Sequence, residues 1–208
     1  MRNNSSKYVV LAALIVSVVA LSLGFAAMTS TLTINSSATV TGDPTNFNVS
    51  LSKANNAVTV GSVTPTVTGT PSPTGQNATI DTNGTTISGL KATFTGKGQT
   101  VKYSFYAYNA GQFLAYLNSV SFGTKTCTAV SGTNQTYVNA ACNGISLSVK
   151  IGSATFGATN TSISSHTLAT GTAETVEVTI SYASDAQVAD GDFNVTFGDV
   201  TILYGSAD

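Results

Sequence analysis

From Met28 to Val40 the chain alternates without a break. Met28, Ser30, Leu32, Ile34, Ser36, Ala38 and Val40 hold one parity, and Thr29, Thr31, Thr33, Asn35, Ser37 and Thr39 hold the other. Successive strand side chains point to opposite faces, so this segment has one face that can be buried and one that is wholly polar. The pattern predicts a single extended strand beginning at Ala27, about 14 residues and roughly 45 Å long. Such a strand carries unpaired N–H and C=O groups along both sides and must find a sheet, its own or a neighbour's.

What precedes this strand decides where it begins. Arg2 and Lys7 give a small positive start, Tyr8 to Phe25 carries no charge, and Gly24 and Ala26 are small residues suited to positions −3 and −1 of a signal-peptidase cut between Ala26 and Ala27. The first 26 residues therefore read as a secretory signal peptide, leaving 27–42 as the N-terminal strand and 43–208 as the main domain. An uncleaved anchor competes with this reading, because 18 helical residues span about 27 Å, close to a hydrocarbon core. Either way the rest of the chain is expected outside the cytoplasm, with the membrane touched only through the signal segment. Neither a Leu-Pro-x-Thr-Gly signal nor an apolar tail follows Tyr204, so the protein is expected to be secreted or held through its neighbours and not wall-anchored by its own C-terminus.

After Ala26 six lysines and no arginine face nine acidic residues, a net charge of −3, which argues against nucleic acid as a partner. Asn, Ser, Thr and Gly fill the polar positions, disfavouring helices and favouring turns and half-exposed strands. The alternation returns in Phe47, Val49 and Leu51, in Val58 and Val60, and from Thr85 to Phe94. Its clearest instance sets Val101, Tyr103, Phe105 and Ala107 inward and Lys102, Ser104, Tyr106 and Tyr108 outward. A turn at Asn109-Ala110-Gly111 is expected to fold Phe113–Phe122 back beside that strand. Leu147, Val149 and Ile151, then Val176, Val178, Ile180 and Tyr182, mark two more strands. Phe193, Val195 and Phe197 open a last one, with a bulge or turn at Gly198-Asp199 before Val200, Ile202 and Tyr204. The stretch from Thr64 to Gly75, with Pro65, Pro71 and Pro73, is expected to be an exposed loop. About nine short strands separated by turns predict an all-β fold, a jelly-roll-like β-sandwich with an extended N-terminal strand.

Cys127 and Cys142 bracket a polar segment, Thr128–Ala141, that reads as a loop. In an exported chain the pair predicts a disulfide, since no third metal ligand lies nearby. Catalysis finds little support. His166 is the single histidine, in a polar run that predicts an exposed loop, and there is neither a His-Glu-x-x-His pair nor a Gly-x-Ser-x-Gly elbow. Asp185, Asp190, Asp192 and Asp199 offer oxygen ligands near Gly191, but their spacing fits no EF-hand and they read as solvated turn residues. The chain is thus expected to be no enzyme and to carry no cofactor or metal. Seven Asn-x-Ser/Thr sequons, at Asn35, Asn48, Asn77, Asn83, Asn134, Asn160 and Asn194, are candidate acceptors in a host that glycosylates.

Two segments carry a family resemblance. Gly24-Phe25-Ala26-Ala27, Thr31-Leu32-Thr33-Ile34 and Ala38-Thr39-Val40 form one; Gly98-Gln99-Thr100-Val101, Tyr103-Ser104-Phe105 and Asn109-Ala110-Gly111 form the other. Together they resemble the TasA and camelysin-type family of exported, fibre-forming biofilm-matrix proteins. The cysteine pair, the proline-rich stretch and the scarcity of lysine depart from that pattern. The resemblance implies a jelly-roll subunit that polymerises head to tail, its N-terminal strand completing the sheet of the next copy, a logic shared with archaeal surface threads and bundling pili. The partner would be a second copy of the chain, and Met28, Leu32, Ile34, Ala38 and Val40 the inserted face. A solitary or membrane-anchored adhesin using outward tyrosines such as Tyr106, Tyr108 and Tyr116 is the alternative.

Overall fold

The computed structural model describes residues 29–34, 40–41, 46–157, 161–162 and 166–206. They form an all-β sandwich with one short helix, and among them nineteen strands are assigned. The strands are β1 (Thr29–Ile34), β2 (Val40–Thr41), β3 (Val49–Ser52), β4 (Gly61–Val63), β5 (Thr66–Thr68), β6 (Thr74–Gly75), β7 (Ala78–Ile80), β8 (Thr86–Ser88), β9 (Ala92–Thr93) and β10 (Gln99–Asn109). After them come β11 (Ala115–Phe122), β12 (Thr126–Ala129), helix α1 (Gln135–Cys142), β13 (Ile145–Ile151), β14 (Ala154–Phe156), β15 (Thr161–Ser162), β16 (Thr167–Leu168), β17 (Ala173–Tyr182), β18 (Phe193–Thr196) and β19 (Val200–Ser206).

The larger sheet runs β15-β11-β19-β1-β8-β7-β4, and the second runs β14-β13-β17-β10-β3. Between them lies the core, with Leu51, Tyr103, Phe105, Val149, Val176 and Val178 from the second sheet and Ile80, Ile87, Leu117, Val120, Ile202 and Tyr204 from the first. Strict alternation explains the long strands. Along β10 the residues expected to point inward, Val101, Tyr103, Phe105 and Ala107, are buried, and β17 does the same with Val176, Val178, Ile180 and Tyr182. The two strands pair antiparallel over ten positions, from Gln99 opposite Tyr182 to Tyr108 opposite Ala173.

Several expectations are corrected. Phe113–Phe122 does not fold back beside β10, because β11 lies in the other sheet, paired with β19, so the turn after Asn109 is a crossing from sheet to sheet. Buried Asn109 holds that corner. Its Nδ2 donates to the carbonyls of Phe113 (2.8 Å) and Leu168 (2.9 Å), and its Oδ1 accepts from the Gly111 amide at 3.0 Å. A Cβ on Gly111 would stand 2.6 Å from the Asn48 nitrogen, so only glycine fits there. Val58 and Val60 do not form a strand: Ser52 organises residues 53–59 as a loop, its hydroxyl donating to the Ala57 carbonyl (2.7 Å) and accepting from the Thr59 amide (2.9 Å), and the strand begins at Gly61. The proline-rich stretch is not wholly loop, since β5 pairs with β10 and β6 with β9.

The segment between the cysteines also holds regular structure. β12 pairs with β18 as a separate two-stranded sheet, and α1 follows, capped by the Asn134 side chain, which accepts from the Thr136 amide. The expected last strand is therefore two strands in different sheets, divided at Gly198-Asp199.

Candidate functional site: the seat of the N-terminal strand

The strand singled out by its alternation lies inside the larger sheet. β1 pairs antiparallel with β19 over six positions, from Thr29 opposite Gly205 to Ile34 opposite Val200, and parallel with β8 at Thr33–Thr86 and Ile34–Ile87. Neighbouring strands stand about 4.8 Å apart, so β19 and β8 flank a slot of roughly 9.5 Å that a single strand fills. Leu32 is in register with Ile202 and Ile34 with Val200, and both β19 residues are buried. Val40 falls in β2, which runs antiparallel to β1 with Val40 opposite Ser30. β1 and β2 thus run in opposite directions, in place of the single extended strand expected up to Val40. Met28, Ala38, the Ala26–Ala27 cleavage site and sequons Asn35 and Asn160 lie outside the described residues.

Both walls of the slot are fixed from the opposite sheet. On the β8 side, Asp81 Oδ1 accepts from the amides of Thr85 (2.7 Å) and Thr86 (2.8 Å), tightening the turn between β7 and β8. At the tip of that turn the Gly84 carbonyl accepts from the Leu51 amide of β3 at 2.6 Å. Gly84 has φ +68, and a Cβ there would stand 3.0 Å from the Leu51 carbonyl oxygen, which explains the glycine.

On the β19 side, the Tyr204 hydroxyl donates to Glu174 Oε1 on β17 at 2.6 Å, while Glu174 Oε2 contacts His166 Nε2. This network joins the two sheets. His166 is therefore not the exposed loop residue its polar surroundings predicted; its side chain is 19% exposed and that of Glu174 12%. Burial, reinforced by the Glu174 carboxylate, holds the Tyr204 phenol well above its ordinary titration range. Sequence reasoning missed Glu174 and Tyr204 as partners because they are 30 residues apart and on different sheets.

The remaining candidates are dispersed. Cys127 and Cys142 form a disulfide, with Cα atoms 6.1 Å apart, tying β12 to the end of α1. Next to it the Lys125 ammonium donates to the carbonyls of Cys142 (2.6 Å) and Ile145 (2.7 Å), and desolvation lowers its pKa. A cation at a helix C-terminus is favourable, and here it also covers part of the β13 edge. Asp190 Oδ1 accepts from the Asn134 amide, the Asp192 carbonyl accepts from the Thr133 hydroxyl and the Asp199 carbonyl from the Gly123 amide, so these residues fasten turns. Among the described residues no group of three or more His, Cys, Asp or Glu side chains is placed to hold a metal. Sequons Asn77, Asn83, Asn134 and Asn194 are exposed and Asn48 is half-buried; Tyr106, Tyr108 and Tyr116 are half-exposed. No helix among the described residues is long and apolar enough to cross a membrane. No protein-family model, curated protein or solved structure matches this chain.

Proposed function

We propose that the chain is a secreted structural subunit of an extracellular or cell-surface filament of the TasA type, acting without catalysis in a biofilm matrix or in cell attachment. Copies would join when the N-terminal strand of one takes the slot of another. The observation that carries this reading is the position of β1: the first strand among the described residues lies between β19 and β8, not at a sheet edge. A subunit whose slot is empty exposes two ladders of backbone donors and acceptors, and the same strand from a second copy satisfies both. Exchange of an identical element costs little in contacts, because each one lost within a chain is regained between chains. The disulfide fits an oxidising compartment, as export through the 1–26 segment would provide.

The placement of β1 in its own sheet is also what a solitary sandwich would show, and it favours the adhesin as the second reading. Electron microscopy of the chain beginning at Ala27, beside its Leu32→Asp variant, separates the two. The filament reading expects concentration-dependent fibres from the first and none from the second, since a carboxylate opposite buried Ile202 would have to be desolvated. Monomers from the unsubstituted chain at all concentrations would favour the adhesin.

A further inference from the structure

Five of the Asn-x-Ser/Thr sequons lie among the described residues, at Asn48, Asn77, Asn83, Asn134 and Asn194. N-glycosylation is a group transfer in which the Asn Nδ2 bonds to C1 of a sugar carried on a lipid pyrophosphate. The C1–O bond to the pyrophosphate breaks, the lipid pyrophosphate leaves with that electron pair, and one amide proton passes to a carboxylate base of the transferase. The hydroxyl two residues on does not react, but the acceptor sequence requires it, because the transferase reads it. A folded sequon must therefore present two groups together, the Asn amide nitrogen and a hydroxyl not already engaged. Exposure of the Asn alone does not suffice.

In two sequons the fold engages that hydroxyl. Ser50 is 3% exposed, and its Oγ donates to Oδ1 of Asn48, the acceptor residue of its own sequon, at 2.7 Å. The Asn48 carbonyl accepts from the amides of Ala110 (2.8 Å) and Gly111 (3.1 Å), so this backbone leaves the corner only by breaking it. Asn83 is exposed, yet Thr85, which carries its hydroxyl, is half-buried and tied twice to Asp81. The Thr85 Oγ1 donates to Asp81 Oδ2 at 3.2 Å and its amide to Oδ1 at 2.7 Å. Gly84, between Asn83 and Thr85, donates its amide to the Asp81 carbonyl at 3.0 Å and accepts from the Leu51 amide at 2.6 Å. This turn opens only if the β8 wall is released.

The other three sequons differ. Asn77, Asn134 and Asn194 are exposed, and so are Thr79, Thr136 and Thr196. Among the described residues, the hydroxyls of these three threonines take no part in the hydrogen bonds that fasten β7, α1 or β18. Thr79 points outward between buried Ala78 and Ile80. Asn134 caps α1 through Oδ1, which leaves Nδ2, the nucleophile, outside the cap. Asn194 and Thr196 share the exposed face of β18, since residues two apart on a strand point the same way.

We infer that a transferase meeting the folded chain modifies Asn77, Asn134 and Asn194 and passes over Asn48 and Asn83. Availability of the hydroxyl sorts the sites, and Asn83, exposed but passed over, is where this criterion parts from simple exposure. None of the three acceptors lies on β1, β8 or β19, the strands of the seat.

The test uses the folded chain beginning at Ala27, its disulfide formed, with a lipid-linked oligosaccharide as donor and a single-subunit oligosaccharyl transferase that needs only Asn-x-Ser/Thr. Synthetic peptides spanning each of the five sequons are run alongside, and the transferase chosen is one that fills all five peptides. Occupancy is followed in time by mass spectrometry of glycopeptides. In the folded chain Asn77, Asn134 and Asn194 should fill within about tenfold of the rates of their peptides, and Asn48 and Asn83 about a hundredfold or more slower than theirs, because each must first open locally. Filling of Asn83 at the rate of the exposed three overturns the hydroxyl criterion. Filling of Asn48 at its peptide's rate, or failure of Asn77, Asn134 and Asn194 to fill in the folded chain, overturns the inference as a whole.

Discussion

Asn109→Ala should be among the most damaging single changes available in this fold, although the residue is polar and stands in a turn sequence. Its amide nitrogen satisfies two carbonyls from different parts of the chain, Phe113 at 2.8 Å and Leu168 at 2.9 Å, and the residue is fully buried. Alanine removes both donors and leaves a void no larger than an amide, too enclosed for bulk water to compensate. The third bond matters less, because the Gly111 amide also donates to the Asn48 carbonyl at 3.1 Å. Each buried acceptor deprived of its donor costs about 1–3 kcal/mol, so a loss of about 3 kcal/mol is expected, equivalent to a fall in Tm of roughly 10 °C for a domain of this size. Asn109→Asp keeps the shape but turns a carboxylate oxygen toward the same two carbonyls, so it should destabilise at least as much at neutral pH. Urea unfolding followed by far-UV circular dichroism and tyrosine fluorescence is the assay, the chain having no tryptophan. The midpoint should fall with an unchanged slope. A loss under about 1 kcal/mol for alanine, or an aspartate variant as stable as the parent, would refute the assignment of Asn109 as the tie between sheets.

Two further outcomes follow from the inter-sheet network and the disulfide. Because the Tyr204 phenol titrates well above its unfolded value near 10, the folded state holds its proton longer; the stability this confers is complete below about pH 10 and is lost as pH rises toward the folded value. Tyr204→Phe should flatten that alkaline slope and, through loss of the bond to Glu174, cost about 2 kcal/mol at pH 7, both measurable by pH-dependent urea melts. The Cys127→Ala, Cys142→Ala pair should lose about 3 kcal/mol, given a sequence separation of 15. Hydrogen exchange should place the loss in β12, α1 and β18 while β10 and β17 stay protected; uniform deprotection would show that this unit is not separable.

The long strands were legible because each buries one face against a single neighbouring layer, and that demand writes itself as strict alternation in Val101–Ala107 and Val176–Tyr182. Shorter strands were not. β6 and β9 are two residues each and β5 is exposed throughout, so pairing, not hydrophobic pattern, defines them. Helix α1 escaped because Gln135-Thr136-Tyr137 gives no apolar stripe, and only Val138 and Ala141 are buried; it is held by the Asn134 cap, the disulfide and Lys125. For the candidate site, alternation identified the strand but not its walls. β19 and β8 lie far from β1 in sequence, and the tethers that set them, Tyr204 to Glu174 and Gly84 to Leu51, join residues whose proximity no local pattern encodes.

By itself the sequence determined that this chain is all-β, that its two cysteines pair, and that its first strand after the apolar segment has one face fit for burial, because periodicity and composition are local properties. Tertiary structure alone decided which sheet each strand joins. It sent the chain across the sandwich at Asn109, where one buried amide outweighs the turn's apparent hairpin character. It also put β1 between β19 and β8, since a strand with two unpaired edges is stabilised most where both find a ladder.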